Sequence, residues 1–169
     1  MQNISKILTT ENNSSWTLLR IPLGIVMLAL GLQKAFGWFG GYGWEGTMHY
    51  FTDTVGMPYF LGAFTILIET LGAALLVVGF AGRINALLLG IVMIGAFFVD
   101  HLPNGFYMNW FGNQKGEGYE FDILFVTISL VLVINGSGAY SLDRLLTASR
   151  QTNKTKTPQH KSLTTAQSF

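Results

Sequence analysis

The sequence predicts an all-α fold, a four-helix bundle that crosses a lipid bilayer, and three observations carry that reading. Half of the 169 residues are apolar and 14% are aromatic, yet only 11% are charged. A soluble domain usually carries about 25% charged residues, so lipid must cover part of this exterior. The apolar residues also gather in long runs separated by short breaks. Finally, the few polar residues inside the first two runs recur at helical spacing beside glycines, as they do where membrane helices pack closely.

The first run, Trp16 to Phe36, is interrupted only by Arg20, Gln33 and Lys34. The second, Pro58 to Phe80, holds a single charge, Glu69. Each is long enough to cross a hydrocarbon core of about 30 Å at about 1.5 Å per residue. The third and fourth, Ile84 to Val99 and Phe121 to Ile134, are shorter and reach span length through flanking residues that snorkel or pair. The expected spans are thus 16–36, 58–80, 84–101 and 120–135. Between the first two, GWFGGYGWEG mixes glycines with aromatic rings, and TMHYFTDTVG predicts a short interfacial helix. The loop HLPNGFYMNWFGNQKGEGY, residues 101–119, has the same character, and such rings suit the headgroup region. Residues 1–145 form the membrane domain, and 146–169 are expected to be a basic, polar, disordered tail.

Orientation follows from the basic residues. The first fifteen residues lack the long apolar run of a cleavable signal peptide. Lys6, the Arg83 turn, Arg144, Arg150, Lys154, Lys156 and Lys161 share one side, against Lys115 and the helix-end Lys34 on the other. The excess of positive charge predicts that both termini are cytoplasmic.

Each span then has an inward stripe. These are Arg20, Gly24, Met27, Gly31 and Lys34 in the first, and Gly62, Thr65, Glu69, Gly72 and Gly79 in the second. The third offers Ala86, Gly90, Met93 and Phe97; the fourth offers Glu120, Leu124, Thr127, Val131 and Asn135. Glu69 lies near the bilayer centre, where an ionised carboxylate costs roughly 2.5–3.5 kcal/mol on insertion scales. It must be paired, neutralised or hydrated. One reading is a structural Arg20–Glu69 pair, since the helical rise puts them about 6 and 16 Å from the inner membrane face. The other is a carboxylate that handles a proton or anchors a ligand headgroup, with Arg20 as its counter-charge; Lys34, near the outer end of its helix and further away in depth, is a third candidate of that polar axis.

Several function classes are excluded or disfavoured. A net charge of +1 argues against nucleic acid. The absence of cysteine excludes disulfides, thiol redox chemistry and cysteine-bound metals. His49, Asp53, Asp100, His101 and Glu120 form an outer-face polar set whose spacing is too common to assign a metal site. His49 and His101 sit in loop or helix-end positions, which disfavours haem held by this chain alone. No strand and no phosphate-binding glycine loop are evident. The outer rings suit either an interfacial belt or the entrance for a lipid or quinone ring.

The stretch GLQKAFGWFGGYGWEGT at residues 31–47 resembles the DoxX family of bacterial membrane proteins. So do IETLGAALLVVG around Glu69 with the Arg83 turn, DHLPNGFYMNWFGNQKGEGYE, and the closing GSGAYSLD. The resemblance implies a four-span bundle in the bacterial cytoplasmic membrane. It further implies an association with quinone-linked oxidoreductase systems, whose relatives oxidise sulfur compounds, accompany terminal oxidases or manage oxidative stress. The thiol-oxidising relatives use cysteines that this chain lacks. The expected role is therefore a quinone-associated subunit or partner of a membrane or periplasmic redox protein, with quinone as the candidate cofactor and a second copy of the chain as a further candidate partner. With no evident redox centre, electrons must come from a partner, and an enzymatic activity of the chain alone stays open. The alternatives are a non-catalytic scaffold and a carrier for a small molecule or lipid.

Overall fold

The structure is a computed structural model that describes Thr10 and residues 12–155, with side chains described through Ala148. Asn13 opens the first helix by accepting the Ser15 amide at 2.9 Å, which satisfies one of the unpaired N–H groups at a helix start. Helix α1 runs Ser14–Phe36 and stops at Gly37, whose φ of 72° only glycine adopts without strain. A short 3₁₀ turn, Trp38–Gly40, leads into α2, Gly43–His49, which continues as a π-helical turn over Tyr50–Thr54. Helix α2 occupies the place of the expected interfacial helix, beginning a few residues earlier. Helices α3, Tyr59–Val78, and α4, Gly82–Asn104, follow. Helix α5 spans Glu120–Asn135 and α6 spans Leu142–Thr155. No strand occurs among the described residues.

Helices α1, α3 and α4 are long and apolar enough to cross a membrane. Helix α5, with 16 residues, extends about 24 Å and packs along α4. Large apolar side chains such as Leu18, Ile25, Phe60, Leu67, Leu87 and Ile94 face outward. The chain is thus an all-α membrane bundle, with lipid covering the apolar exterior that a soluble protein would bury.

Leu23, Met27, Ala73, Leu76, Leu89 and Leu132 form its interior. Close approach of α1 and α3 sets the register of that interior. A Cβ on Gly31 would lie 2.5 Å from the Glu69 carbonyl carbon, and one on Gly24 would lie 2.7 Å from Val77 Cγ2. Arg20, Gly24, Met27 and Gly31 are buried as their stripe predicts, and so are Gly62, Glu69 and Gly72 on α3 and Ala86, Gly90 and Met93 on α4. The α5 stripe is different. Leu124 and Thr127 are exposed, while Asp122, Phe125, Ser129 and Leu132 are buried. The expected phase took Glu120 as the inward acid, whereas Asp122 holds that position.

Arg20 is not the partner of Glu69. It is 1% exposed and donates to the Tyr140 carbonyl at 3.0 Å. Its guanidinium packs over Gly79, where a Cβ would collide with Nη1 at 1.5 Å. By the α1–α3 register Arg20 therefore sits roughly 15 Å along the bundle from Glu69, too far for direct contact. At the same end, the buried Asp143 carboxylate accepts the Ala81 amide at 2.7 Å, the Gly82 amide at 3.0 Å and the Ser137 hydroxyl at 2.6 Å. It thereby caps the start of α4 from outside that helix. Thr17 donates to the Ala139 carbonyl at 2.6 Å, and Arg83 donates to the carbonyls of Val133 and Ile134 at 2.6 and 2.5 Å. The loop between α5 and α6 is thus fastened to α1, α3 and α4. The expected boundary at residue 146 falls inside α6, and the remainder of the tail, 156–169, lies outside the described residues.

Candidate functional site

At the opposite end of the bundle the helices part around a cavity of about 780 Å³. Its wall is mostly apolar, with Val26, Leu30, Phe64, Met93, Phe121 and Phe125 among the lining side chains. Three π-helical turns meet there. The first, Tyr50–Thr54, supplies Tyr50 and Phe51; the second, Ile68–Gly72 within α3, supplies Ile68 and Glu69; the third, Phe97–His101 within α4, supplies Val99, Asp100 and His101. A π turn inserts a residue into a helix and so re-aims the side chains that follow, and such turns recur at functional sites.

Glu69 is paired with Lys34, Nζ lying 2.5 Å from Oε2. The carboxylate side chain is 4% exposed and the lysine 28%. Gly31, one turn before Lys34, packs directly on Glu69, so the ammonium is brought level with the carboxylate. The partner of Glu69 is thus Lys34 and not the expected Arg20. The sequence reading compared distances from the membrane face and placed Lys34 too far away. It lacked the register that the Gly31 contact imposes.

A second polar pair lies on the same wall. His101 Nδ1 is 2.7 Å from Asp122 Oδ2, with Asp122 2% exposed. Asp122 Oδ1 is buried and has no hydrogen-bond partner among the described residues. Beside this pair, the Tyr50 hydroxyl donates to Asp100 Oδ1 at 2.8 Å. Burial first, then that hydrogen bond and the charge of Asp100, push the Tyr50 phenol up to about 12. Asp122, one of several acids that the sequence puts on the outer side, was not among its candidate site residues. Its signal was the run Asp122, Phe125, Ser129, Leu132, whose 3-4-3 spacing puts two polar residues on one helical face.

The outer-face set does not assemble as one cluster. His49 pairs with Asp53 at 3.2 Å on the exposed surface. Glu120 accepts the Met108 amide and the Trp110 indole N–H at 3.3 and 3.2 Å, and Glu117 accepts the Asn109 amide at 2.9 Å. Those acids fold the loop between α4 and α5. Among the described residues, no group of three or more His, Asp or Glu side chains is arranged to hold a metal ion.

The site therefore combines an apolar chamber with two buried acid–base pairs, one cation–carboxylate and one imidazole–carboxylate. An apolar wall with a few fixed polar groups is the usual make-up of a small-molecule site.

The DoxX family model matches residues 15–102. The "Putative oxidoreductase CatD" of Bacillus subtilis (strain 168) is 33% identical over 126 residues, covering 75% of this chain and 82% of that protein. The "Inner membrane protein YqjF" of Escherichia coli (strain K12) is 35% identical over 117 residues, covering 65% of this chain and 79% of that protein. No solved structure matches the chain. The family model takes in α1 to α4 up to Leu102, including Glu69, Lys34 and His101, and with it the chain belongs to the DoxX family.

Proposed function

We propose that this protein is a quinone-binding subunit or partner of an oxidoreductase in the bacterial inner membrane, its termini cytoplasmic and the cavity near the outer face. The observation that carries the reading is the apolar cavity with the buried Lys34–Glu69 pair on its wall. Its volume lies within the roughly 300–1,000 Å³ typical of small-molecule sites. A quinone ring is apolar on its faces and offers only acceptor oxygens at its edge. Lys34 Nζ carries three donor hydrogens, of which Glu69 takes one. The remaining donors suit a ring oxygen, and Glu69 holds the ammonium in place. When bound, the quinone would supply the two-electron chemistry; this chain would bind and orient the ring and hold a proton at Glu69. Electrons would arrive from a partner protein. The name of the Bacillus relative, an oxidoreductase, and that of the Escherichia relative, an inner membrane protein, agree with this assignment.

The test is the quinone content of the protein purified in native-lipid nanodiscs, measured by extraction and mass spectrometry. Near-stoichiometric quinone is expected, falling to the level of the surrounding lipid in folded Glu69→Gln protein. Quinone no richer than in bulk lipid for the wild type would overturn the reading. Attention would then pass to the outer aromatic residues, Tyr42 and Phe111 above all, as surfaces that dock another protein in a scaffold role.

A further inference from the structure

We infer that Asp122 selects the reduced form of the ligand, so that the cavity binds a para-quinol more tightly than the corresponding quinone. The inference rests on the proposed ligand class and adds a preference that Lys34 and Glu69 do not account for. A para-quinone carries two ring oxygens at opposite ends, both acceptors; the quinol differs by two electrons and two protons, one hydrogen on each oxygen. The cavity wall likewise presents two separate polar pairs, Lys34–Glu69 from α1 and α3 and His101–Asp122 from α4 and α5.

The two pairs differ in what they leave over. The Lys34 ammonium retains donors, which serve a quinone oxygen or a quinol oxygen equally well. Asp122 retains an acceptor: Oδ2 is engaged by His101 at 2.7 Å, while Oδ1 is buried and unpartnered. A buried acceptor left unmatched is costly, and only a ligand that brings a hydrogen can relieve it. The quinol hydroxyl does so once entry of the ring parts the side chains that cover Oδ1. The quinone carbonyl would instead set one acceptor against another.

A hydrogen bond that satisfies a buried, otherwise unmatched acceptor corresponds to roughly tenfold or more in affinity. For a two-electron couple, tenfold tighter quinol binding raises the midpoint potential of the bound couple by about 30 mV above that of the free couple. The direction separates this site from one that stabilises quinone.

The experiment titrates wild-type protein in nanodiscs anaerobically with decyl-substituted benzoquinone and, separately, with its dithionite-reduced quinol, using empty nanodiscs to subtract partitioning. Quinol binding at least tenfold tighter than quinone is the expected result, with the ratio falling toward one in Asp122→Asn, a variant of the same size. Equal affinities in the wild type, or an unchanged ratio in folded Asp122→Asn, would overturn the inference and leave the quinone-binding reading standing. Saturable binding of neither form would overturn both. If Asp122→Asn fails to fold, Asp122→Ser takes its place with the same expected fall in the ratio, and equal wild-type affinities overturn the inference whatever the variants do.

Discussion

At the end of the bundle that carries the described termini, buried charge serves the backbone; at the cavity end, it serves other side chains. Asp143 takes two amide hydrogens and a hydroxyl, and Arg83 donates to two carbonyls, so a loop and the start of α4 are fastened. Glu69 and Asp122 instead meet Lys34 and His101. The helices there also carry three π-helical turns, whereas at the Asp143 end Gly24 closes on Val77 and Gly79 on Arg20. One end is thus saturated and close-packed, the other paired but open. Stability and ligand binding should separate along the same axis.

The sharpest way to break that separation is Asp143→Ala. It removes three charge-assisted bonds and leaves the buried Gly82 amide and Ser137 hydroxyl without their acceptor, a loss of about 3–5 kcal/mol. Thermal unfolding in nanodiscs should show a large drop, while the protein that remains folded keeps its quinone. Loss of quinone from the folded fraction would mean that the two ends are coupled. Next in size is Gly79→Ala, expected to cost about 2–3 kcal/mol. Here φ is +72° and the added methyl would lie 1.5 Å from Arg20 Nη1. The same unfolding measurement checks it, and a cost below about 1 kcal/mol would show that Arg20 moves aside freely.

At the cavity end the two members of one ion pair should behave unequally. Lys34→Met leaves Glu69, 4% exposed, without its cation, for an expected cost of about 2–3 kcal/mol. Glu69→Gln leaves Lys34, 28% exposed, able to turn toward water or headgroups, and should cost only about 1 kcal/mol. Denaturant unfolding of the two variants side by side measures the difference. Equal costs would place the lysine as deep as the carboxylate.

How much of this was legible in the sequence depends on which physical quantity set each feature. The inward faces of α1, α3 and α4 were readable because small and polar residues repeat with the helical period. Glu69 stood out because a carboxylate deep in an apolar run demands a partner. Its partner was misassigned because each helix by itself reports depth along its own axis, not its sliding register against a neighbour; that register comes from Gly31 against Glu69. The role of Arg20 depends on the loop 136–141 folding back beneath the bundle, a long-range event with no local sign. On α5, both Glu120 and Asp122 are acids, and only packing separates the one that folds a loop from the one in the cavity wall. The π turns were invisible for a related reason. Each depends on where one inserted residue is accommodated, which the neighbouring helices decide.

The smallest expected effect tests whether the cavity end is as closed as its ion pairs suggest. Tyr50 has its phenol pushed from an ordinary 10.0 up to about 12, by burial first and then by the bond and charge of Asp100. The folded protein therefore favours the neutral phenol. The stabilisation is fully present below about pH 10 and is lost as the pH rises through about 12. Because Tyr50 is 37% exposed, the gain in stability is small and is better read as a titration than as a melting temperature. The tyrosinate absorbance of wild type minus Tyr50→Phe should titrate late, with a midpoint near 12. In Asp100→Asn the hydrogen bond persists but the charge is gone, so the midpoint should fall part of the way back and remain above the ordinary value. A wild-type midpoint near 10.0 would mean that water reaches the phenol freely, and the mouth of the cavity beside Asp100 and His101 would then be wetter than its lining implies.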